Sequence, residues 1–309
     1  MSNATDKQTG AVQTTGHAWD GDLQEYNNPL PRWWVWAFYA TFVFAIVYWL
    51  IYPTWPVGTS FTKGFGNNIT FTNDAGETVT THWNTRAKLA YDMEFSDGAV
   101  KQREYLDLII GASYDEILSD PDKSAFMRSY AKGLFGDNCA ACHGAGGTGV
   151  IGLFPNLVDD AWLWGGSTAK IEETLRHGRM GFMPAFAATF DEQQLDAVAA
   201  YTLSLSGHEG DAEQVAMGQK IFQGEEGGCY YCHTAAGTGL ESVGSANLTD
   251  SIWTVANVPG AEGYEAKHAA VRNVIANGIS RHMPAWEGRL SDGEIKLLTA
   301  YVYSLSGGE

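Results

Sequence analysis

The chain has 309 residues, a net charge of −17 at neutral pH and 45% hydrophobic residues, so its length allows about two folded domains. The strong negative charge argues against a nucleic-acid partner, and it fits either a basic protein partner or a generally solvated surface. The sequence contains no P-loop, dinucleotide-binding fingerprint or H-E-x-x-H motif, so nucleotide and zinc-hydrolase chemistry lack support.

Residues 1–31 are polar and precede a segment of a different kind. Residues 33–52 carry no charged side chain, and a helix of that length spans about 30 Å, the thickness of a bilayer core. Pro31 and Pro53 flank this segment, and aromatic side chains crowd both of its ends. A helix this long in a globular protein would show a polar face, and this segment does not show one. The sequence predicts a transmembrane helix over residues 32–53, preceded by a cytoplasmic N-terminal segment.

Residues 54–120 lack the pattern of an independent domain. The stretch 65–81 is rich in Gly, Asn and Thr. It contains short runs in which apolar and polar residues alternate, which fits either a small hairpin or a loop. Residues 99–120 place apolar side chains at helical spacing. We therefore expect a periplasmic connector that packs against another part of the protein.

From about residue 121 the sequence repeats itself at an offset of 90 to 100 residues. Each copy has a leading helix, a cysteine motif, a Gly-rich loop and two further helices. The last helix of each copy opens with a capping box. We therefore expect two small domains, over residues 121–208 and 209–309, and an all-α fold class for the chain. The matching pairs are Asn156 and Asn247, Trp162 and Trp253, Met183 and Met283, and Asp191 and Ser291.

All four cysteines lie in two copies of the pattern C-x-x-C-H. This is the attachment pattern of a c-type haem, in which two thiols bond to the haem and the histidine binds its iron. A zinc site or a pair of disulfides could also use these cysteines, but the second half of a usual zinc site is missing. The sequence therefore predicts two covalently bound haem c groups in tandem c-type cytochrome domains. The predicted attachment residues are Cys139, Cys142, Cys229 and Cys232, and the predicted axial histidines are His143 and His233.

The side of the membrane follows from the haem motifs. The flanking charge decides little, because Arg32 precedes the apolar segment and the next basic residue, Lys63, follows it. Covalent haem c is assembled on the outer side of the bacterial cytoplasmic membrane, and both motifs follow the predicted span. We expect a single-pass protein of the bacterial inner membrane with a cytoplasmic N-terminus and periplasmic haem domains.

Each repeat also offers a methionine for the sixth position of the iron. Met183 and Met283 each precede a proline at the same place in the two copies. A loop methionine can simply fill a core, but its recurrence favours a ligand. A thioether closes the iron for electron transfer, whereas an open position allows catalysis. Met180, His177 and His282 lie nearby without counterparts, so we do not expect them to bind iron.

Haem propionates need hydrogen-bond donors, and several tryptophan and arginine side chains near the motifs are candidates. Core packing explains the tryptophans equally well. The candidate haem contacts are Trp162, Trp164, Trp253, Arg176 and Arg272, and Arg179 and Arg281 also lie close enough to the methionines to face a haem edge.

The run His17–Trp34 reads HAWDGDLQEYNNPLPRWW. It resembles the N-terminal signature H-x-W-D-G-I-x-E-x-N-N-P-x-P-x-W-W of the diheme cytochrome c subunit (subunit III, CcoP) of cbb3-type cytochrome c oxidases, with Leu23 where Ile is commoner. The single span followed by two haem motifs matches the same family. The resemblance extends over residues 17–309.

The resemblance implies an electron-transfer role without an active site in this chain. Such subunits take electrons from a soluble c-type cytochrome donor. They pass the electrons to a monohaem cytochrome c subunit and a haem–copper catalytic subunit, which reduces oxygen to water. On that pattern each haem is served by one repeat: Cys139, Cys142, His143 and Met183 for the first, and Cys229, Cys232, His233 and Met283 for the second.

Two other functions remain open on the residues alone. A free-standing, membrane-anchored diheme cytochrome that carries electrons between respiratory complexes would have the same haem domains. A diheme peroxidase would need an iron with an accessible sixth position, against which the repeated Met-Pro argues.

Overall fold

The computed structural model describes residues 13–73 and 75–306, so residues 1–12 of the predicted N-terminal segment and the last three residues lie outside it. The chain forms two compact units, Met1–Val100 and Lys101–Glu309. Helices dominate, in keeping with the predicted class, but four two-stranded sheets also lie in the described part of the chain. The fold is therefore mainly helical and not purely α.

The first unit contains the predicted membrane helix and three hairpins. Helix α1 has no buried residue and a mean hydropathy of 1.8, which suits a helix surrounded by lipid. The resemblance signature forms the first hairpin, and its Asp20-Gly21 turn takes positive φ at both residues, as tight hairpin turns require. The elements are β1 (Thr14–Trp19), β2 (Leu23–Tyr26), α1 (Arg32–Ile51), β3 (Pro56–Val57), β4 (Ser60–Phe61), β5 (Asn68–Thr72), β6 (Thr78–His82) and α2 (Thr85–Phe95).

The second unit contains both cysteine motifs. Its last helices begin with the two predicted capping boxes, at Asp191 and Ser291. The remaining elements are α3 (Asp97–Gly111), α4 (Tyr114–Ser119), α5 (Pro121–Asn138), α6 (Ala140–His143), α7 (Thr168–His177), β7 (Arg179–Met183), α8 (Glu192–Leu205), α9 (Ala212–Gln223), α10 (Tyr230–His233), α11 (Gly263–Asn277), β8 (Ile279–Met283) and α12 (Asp292–Leu305).

The end of the predicted connector belongs to the core of this second unit. Ile109 and Ile117 are fully buried, and they pack with Met127 of α5 and Leu297 of α12. Helices α3 and α4 therefore pack against both α5 and α12.

The two sequence repeats exchange their last helices. Helix α8, which ends the first repeat, packs against α9 and α11 of the second. Helix α12, which ends the second repeat, packs against α5 and α7 of the first. Each helical core therefore contains segments from both predicted domains.

Backbone hydrogen bonds fix this exchange on both sides in the same way. After β7, the amide of Phe186 donates to the carbonyl of Ile275 at 3.1 Å. After β8, the amide of Trp286 donates to the carbonyl of Leu175 at 2.9 Å. Each chain segment that leaves a methionine is thus bonded to the second helix of the opposite repeat.

Strands β7 and β8 pair in an antiparallel ribbon where the repeats cross. Arg179 pairs with Met283, Gly181 with Arg281, and Met183 with Ile279. Burial alternates along both strands, so these three pairs share the inward face. The ribbon therefore carries one methionine of interest at each end of the same face.

The exchanged helix α12 should contribute strongly to stability. Leu298 is fully buried in a core with Phe135 of α5 and Leu175 of α7. We expect Leu298→Ala to lower the free energy of unfolding by about 2–5 kcal/mol, because a cavity remains where the side chain packed. Urea unfolding of the detergent-solubilised chain, followed by circular dichroism, measures this loss. An unchanged midpoint would show that α12 does not pack there.

Candidate haem sites

Each cysteine motif forms a single helical turn, α6 or α10, followed by a loop of the same shape. The amide of Gly149 donates to the carbonyl of His143 at 2.8 Å, and Gly239 does the same to His233 at 3.0 Å. The residue after each histidine, Gly144 or Thr234, has a positive φ, which turns the chain back over the imidazole. The repeated sequence thus folds into a repeated local structure.

The two histidines are oriented as iron ligands. His143 Nδ1 lies 3.1 Å from the Pro155 carbonyl oxygen, and His233 Nδ1 lies 2.9 Å from that of Ala246. Since a carbonyl can only accept, Nδ1 carries the proton and Nε2 is left with its lone pair. Burial lowers the pKa of both imidazoles, although the carbonyl contact works in the opposite direction. The neutral form that binds a metal is therefore favoured.

The first thiol of each motif is partly buried. Burial raises the pKa of Cys139 and of Cys229 to about 11, with a smaller contribution from the second cysteine of each motif. Among the described residues, no three His, Cys, Asp or Glu side chains cluster as metal ligands, and the cysteines form no disulfide.

A mainly apolar cavity, partly open to solvent, lies beside the second motif. Cys229 and His233 line it together with Trp253 and Phe222. Helices α8 and α11 also contribute to the wall, through Val198, Thr202, Val271, Val274 and Ile275.

The first motif lies against the corresponding core of the opposite set of helices. Cys139 packs on the cluster formed by α5, α7 and α12, and Trp162 covers the same cluster. Phe135, four residues before the first cysteine, is buried at its centre. Both motifs are therefore flanked by an apolar surface and a tryptophan, as the repeat predicted.

The structure places each methionine with the motif of the other repeat. Met183 lines the cavity that contains His233. Met283 packs on the cluster that contains Cys139. The pairing expected from the family resemblance, with each methionine serving its own repeat, is therefore replaced by a crossed arrangement. The reason is the exchange of the last helices, which carries the preceding Met-Pro loops across.

The neighbouring candidates for iron binding point to solvent. Met180 is 71% exposed on the outer face of the ribbon, where His282 lies opposite it. His177 is also exposed and lies 3.6 Å from a carboxylate oxygen of Glu287. Their lack of counterparts in the other repeat correctly indicated surface positions.

The other predicted haem contacts divide into two groups. Trp162 and Trp253 lie at the two sites, whereas Trp164 stacks under Arg179, whose guanidinium carbon is 5.0 Å from its ring centre. Arg176 binds Glu172 and Asp292, each at 2.8 Å, and Arg272 binds Glu192 and Asp196. These two arginines therefore tie α7 to α12 and α11 to α8.

Sequence reasoning missed the backbone groups that orient the histidines. The acceptor carbonyls belong to Pro155 and Ala246, each directly before the repeated Asn-Leu. The Asn156 and Asn247 side chains accept from backbone amides two residues further on and so shape this turn. The repeated Asn-Leu was the available sequence signal for this turn. A backbone carbonyl that accepts a hydrogen bond cannot be recognised from the residue type.

The described residues fit a haem c at each motif. Each offers two half-buried or exposed thiols, an oriented neutral imidazole, an apolar wall and a methionine on the same cavity or core. The Arg281 guanidinium also has a buried nitrogen atom, Nη2, without a hydrogen-bond partner in the described part of the protein.

Two family models match the chain. The model for cytochrome c oxidase, cbb3-type, subunit III matches residues 129–201 and 213–302, which include both motifs and both methionines. The model for the N-terminal domain of cytochrome oxidase-cbb3, FixP, matches residues 11–59. The chain belongs to the subunit III family of cbb3-type cytochrome c oxidases.

Relatives agree over nearly the full length of this subunit III family member. The cbb3-type cytochrome c oxidase subunit FixP of Azorhizobium caulinodans is 39% identical over 97% of this chain and 95% of its own. The FixP subunit of Bradyrhizobium sp. strain ORS 278 is 42% identical over 96% and 95%, and the CcoP subunit of Azospirillum sp. strain B510 is 37% identical over 99% of each. Membership in the subunit III family confirms the resemblance at His17–Trp34 and implies haem c as the cofactor.

Proposed function

We propose that this chain is the membrane-anchored electron relay of a cbb3-type oxidase. It receives electrons from a soluble c-type cytochrome and passes them to the monohaem cytochrome c and haem–copper catalytic subunits, which reduce oxygen to water. Haem iron supplies the one-electron carrier. The observation that carries the proposal is that Met183 lines the cavity of His233, while Met283 packs on the same core as Cys139. His/Met ligation closes the iron and so favours electron transfer over catalysis.

The chain holds two haem c groups, one at each cysteine motif. Cys139 and Cys142 attach the first, and Cys229 and Cys232 attach the second. The axial pairs are His143 with Met283 and His233 with Met183. Trp162 and Trp253 cover the respective apolar walls. Because the walls exclude water from one side of each haem, burial disfavours the extra positive charge of the ferric form and raises the potential.

Helix α1, the single candidate span in the described part of the chain, anchors the protein in the bacterial inner membrane, with its N-terminus in the cytoplasm and its haem domains in the periplasm. The length and apolar surface of α1 support the span. The side is supported by the chemistry of haem c attachment. A protease added to intact spheroplasts should remove the haem-staining domains and leave the N-terminal segment protected.

Purification in mild detergent tests the oxidase assignment. An affinity tag after Glu309 should recover this chain together with a haem–copper subunit and a monohaem cytochrome c, and the complex should oxidise reduced cytochrome c. Recovery of the diheme chain alone, from cells that assemble the oxidase, would favour the free-standing electron carrier. Absence of covalent haem from the chain would refute both functions.

Electron entry should depend on ionic strength. The net charge of −17 suits a donor with a basic contact surface. We expect the second-order rate of reduction by such a donor to fall as salt rises from about 10 to 150 mM, because the screening length shrinks from about 30 to 8 Å. Stopped-flow reduction of the purified complex measures this rate. A salt-independent rate would point to an apolar contact surface.

A further inference from the structure

Arg281 occupies the centre of the inward face of the β7–β8 ribbon. It pairs across the ribbon with Gly181, and it lies two residues from Met283 on its own strand. Gly181 is likewise two residues from Met183. The two methionines stand at opposite ends of the ribbon, four residues or about 14 Å apart. Arg281 therefore lies midway between the two proposed haem sites.

This arginine has no counter-charge among the described residues. Its Nη2 atom is buried and makes no hydrogen bond there. Burial alone lowers the pKa of its guanidinium, with no carboxylate acting in the opposite direction. In a chain with 36 acidic and 19 basic residues, an unpaired buried cation needs an explanation.

The neighbouring arginine on the same face does not share this condition. Arg179 donates to Glu173 at 2.8 Å and to the Thr174 hydroxyl at 2.9 Å. The position opposite Arg281 also leaves room, since a Cβ added to Gly181 would meet no atom within 4 Å. An unpaired guanidinium and an open space thus face inward together.

We propose that Arg281 lies between the two haems and donates hydrogen bonds to a propionate carboxylate of each, so that one cation serves both sites. The inference rests on the proposed diheme function. A guanidinium offers five N–H donors in a planar fork and can therefore bind two carboxylates at once. By neutralising these carboxylates, Arg281 reduces the net negative charge near both irons. Arg281 is a positioning residue that stabilises the reduced form of each haem.

Redox titration of the purified full-length chain, followed by visible spectra, tests this role. Arg281→Gln should lower the equilibrium constant for reduction of both haems about tenfold, or about 59 mV per one-electron couple. The matched control is Arg128→Gln, which removes the same charge from the exposed face of α5. A fall at both haems with an unchanged control supports the proposal. Unchanged potentials, or a fall at one haem only, overturn it.

Two further variants separate a charge effect from a loss of structure. In the Arg281→Gln background, Gly181→Arg returns the guanidinium to the ribbon centre from the opposite strand and should restore both potentials; no recovery at either haem overturns the proposal. If Arg281→Gln does not retain both haems, Arg281→Lys is titrated instead. Lysine keeps the charge without the fork, so both potentials should fall by a smaller factor, and unchanged potentials overturn the shared contact.

The haem content of the wild-type chain distinguishes a failure of the proposed diheme function from a failure of the role proposed for Arg281. Fewer than two covalent haems per chain would refute the proposed diheme function itself. Two covalent haems whose potentials do not respond to Arg281→Gln would refute only the role of Arg281.

Discussion

Replacing Met283 by histidine should lower the potential of the haem attached at Cys139 and Cys142, not that of the haem in its own repeat. The structure packs Met283 on the cluster that contains Cys139. Imidazole favours ferric iron more than a thioether does, so the potential of the affected haem should fall. We expect a shift of more than tenfold in its reduction equilibrium, or more than about 59 mV.

A single-haem background assigns the effect to one site. The double substitution Cys139→Ala and Cys142→Ala leaves the second motif as the only covalent attachment point. In that chain Met183→His should lower the potential of the remaining haem, whereas Met283→His should leave it unchanged. The opposite result would restore the pairing of each methionine with its own repeat. Haem staining and circular dichroism check that each variant holds one haem and stays folded.

A further loss of stability is expected where α9 crosses α8. A Cβ on Gly218 would lie 1.9 Å from the Ala197 carbonyl oxygen, in the middle of the buried helix α8. Gly218→Ala should therefore lower the free energy of unfolding by about 1–3 kcal/mol, despite a gain of about 1 kcal/mol in helix propensity. Urea unfolding followed by circular dichroism measures the change.

Gly133 provides the matched control on α5. A Cβ there would meet no atom within 4 Å, and the residue is exposed on a helix. Gly133→Ala should raise stability by about 0.5–1 kcal/mol through helix propensity alone. Equal effects of the two substitutions would show that the close crossing at Gly218 does not exist.

The spacing of apolar residues and the residues that cap helix ends predicted individual helices well. The apolar run 33–52 became Arg32–Ile51. Both capping boxes formed as predicted, because they depend on residues within one turn. The nine additional residues of the second repeat partly lengthen α11, which has 15 residues against 10 in α7.

The exchange of helices could not be predicted, because the repeats are alike. Helices α8 and α12 present similar apolar faces, so either can cover either core, and the local pattern does not choose between them. The choice depends on the short paths that follow Met183 and Met283, whose backbones are bonded to the opposite repeat. The β7–β8 ribbon was not predicted either, because its two strands lie 100 residues apart in the sequence.

The local geometry of the two sites follows from residue type, because C-x-x-C-H is a local pattern that forms the same helical turn in both repeats. The surroundings of Arg176 and Arg272 could not be predicted, because an arginine near a motif can also bind a neighbouring helix, as both do here. Neither the carbonyl partners of the histidines nor the isolation of Arg281 can be read without the folded chain.

The crossed arrangement makes the folding of each core depend on a distant segment. Helix α12 follows both cysteine motifs along the chain, yet it packs on the core beside Cys139. A fragment without α12 would leave Phe135 and Leu175 without part of the core that covers them. Contacts this distant along the chain form slowly, so the core beside the first motif is completed late in folding. The first repeat alone therefore lacks a part of its own core.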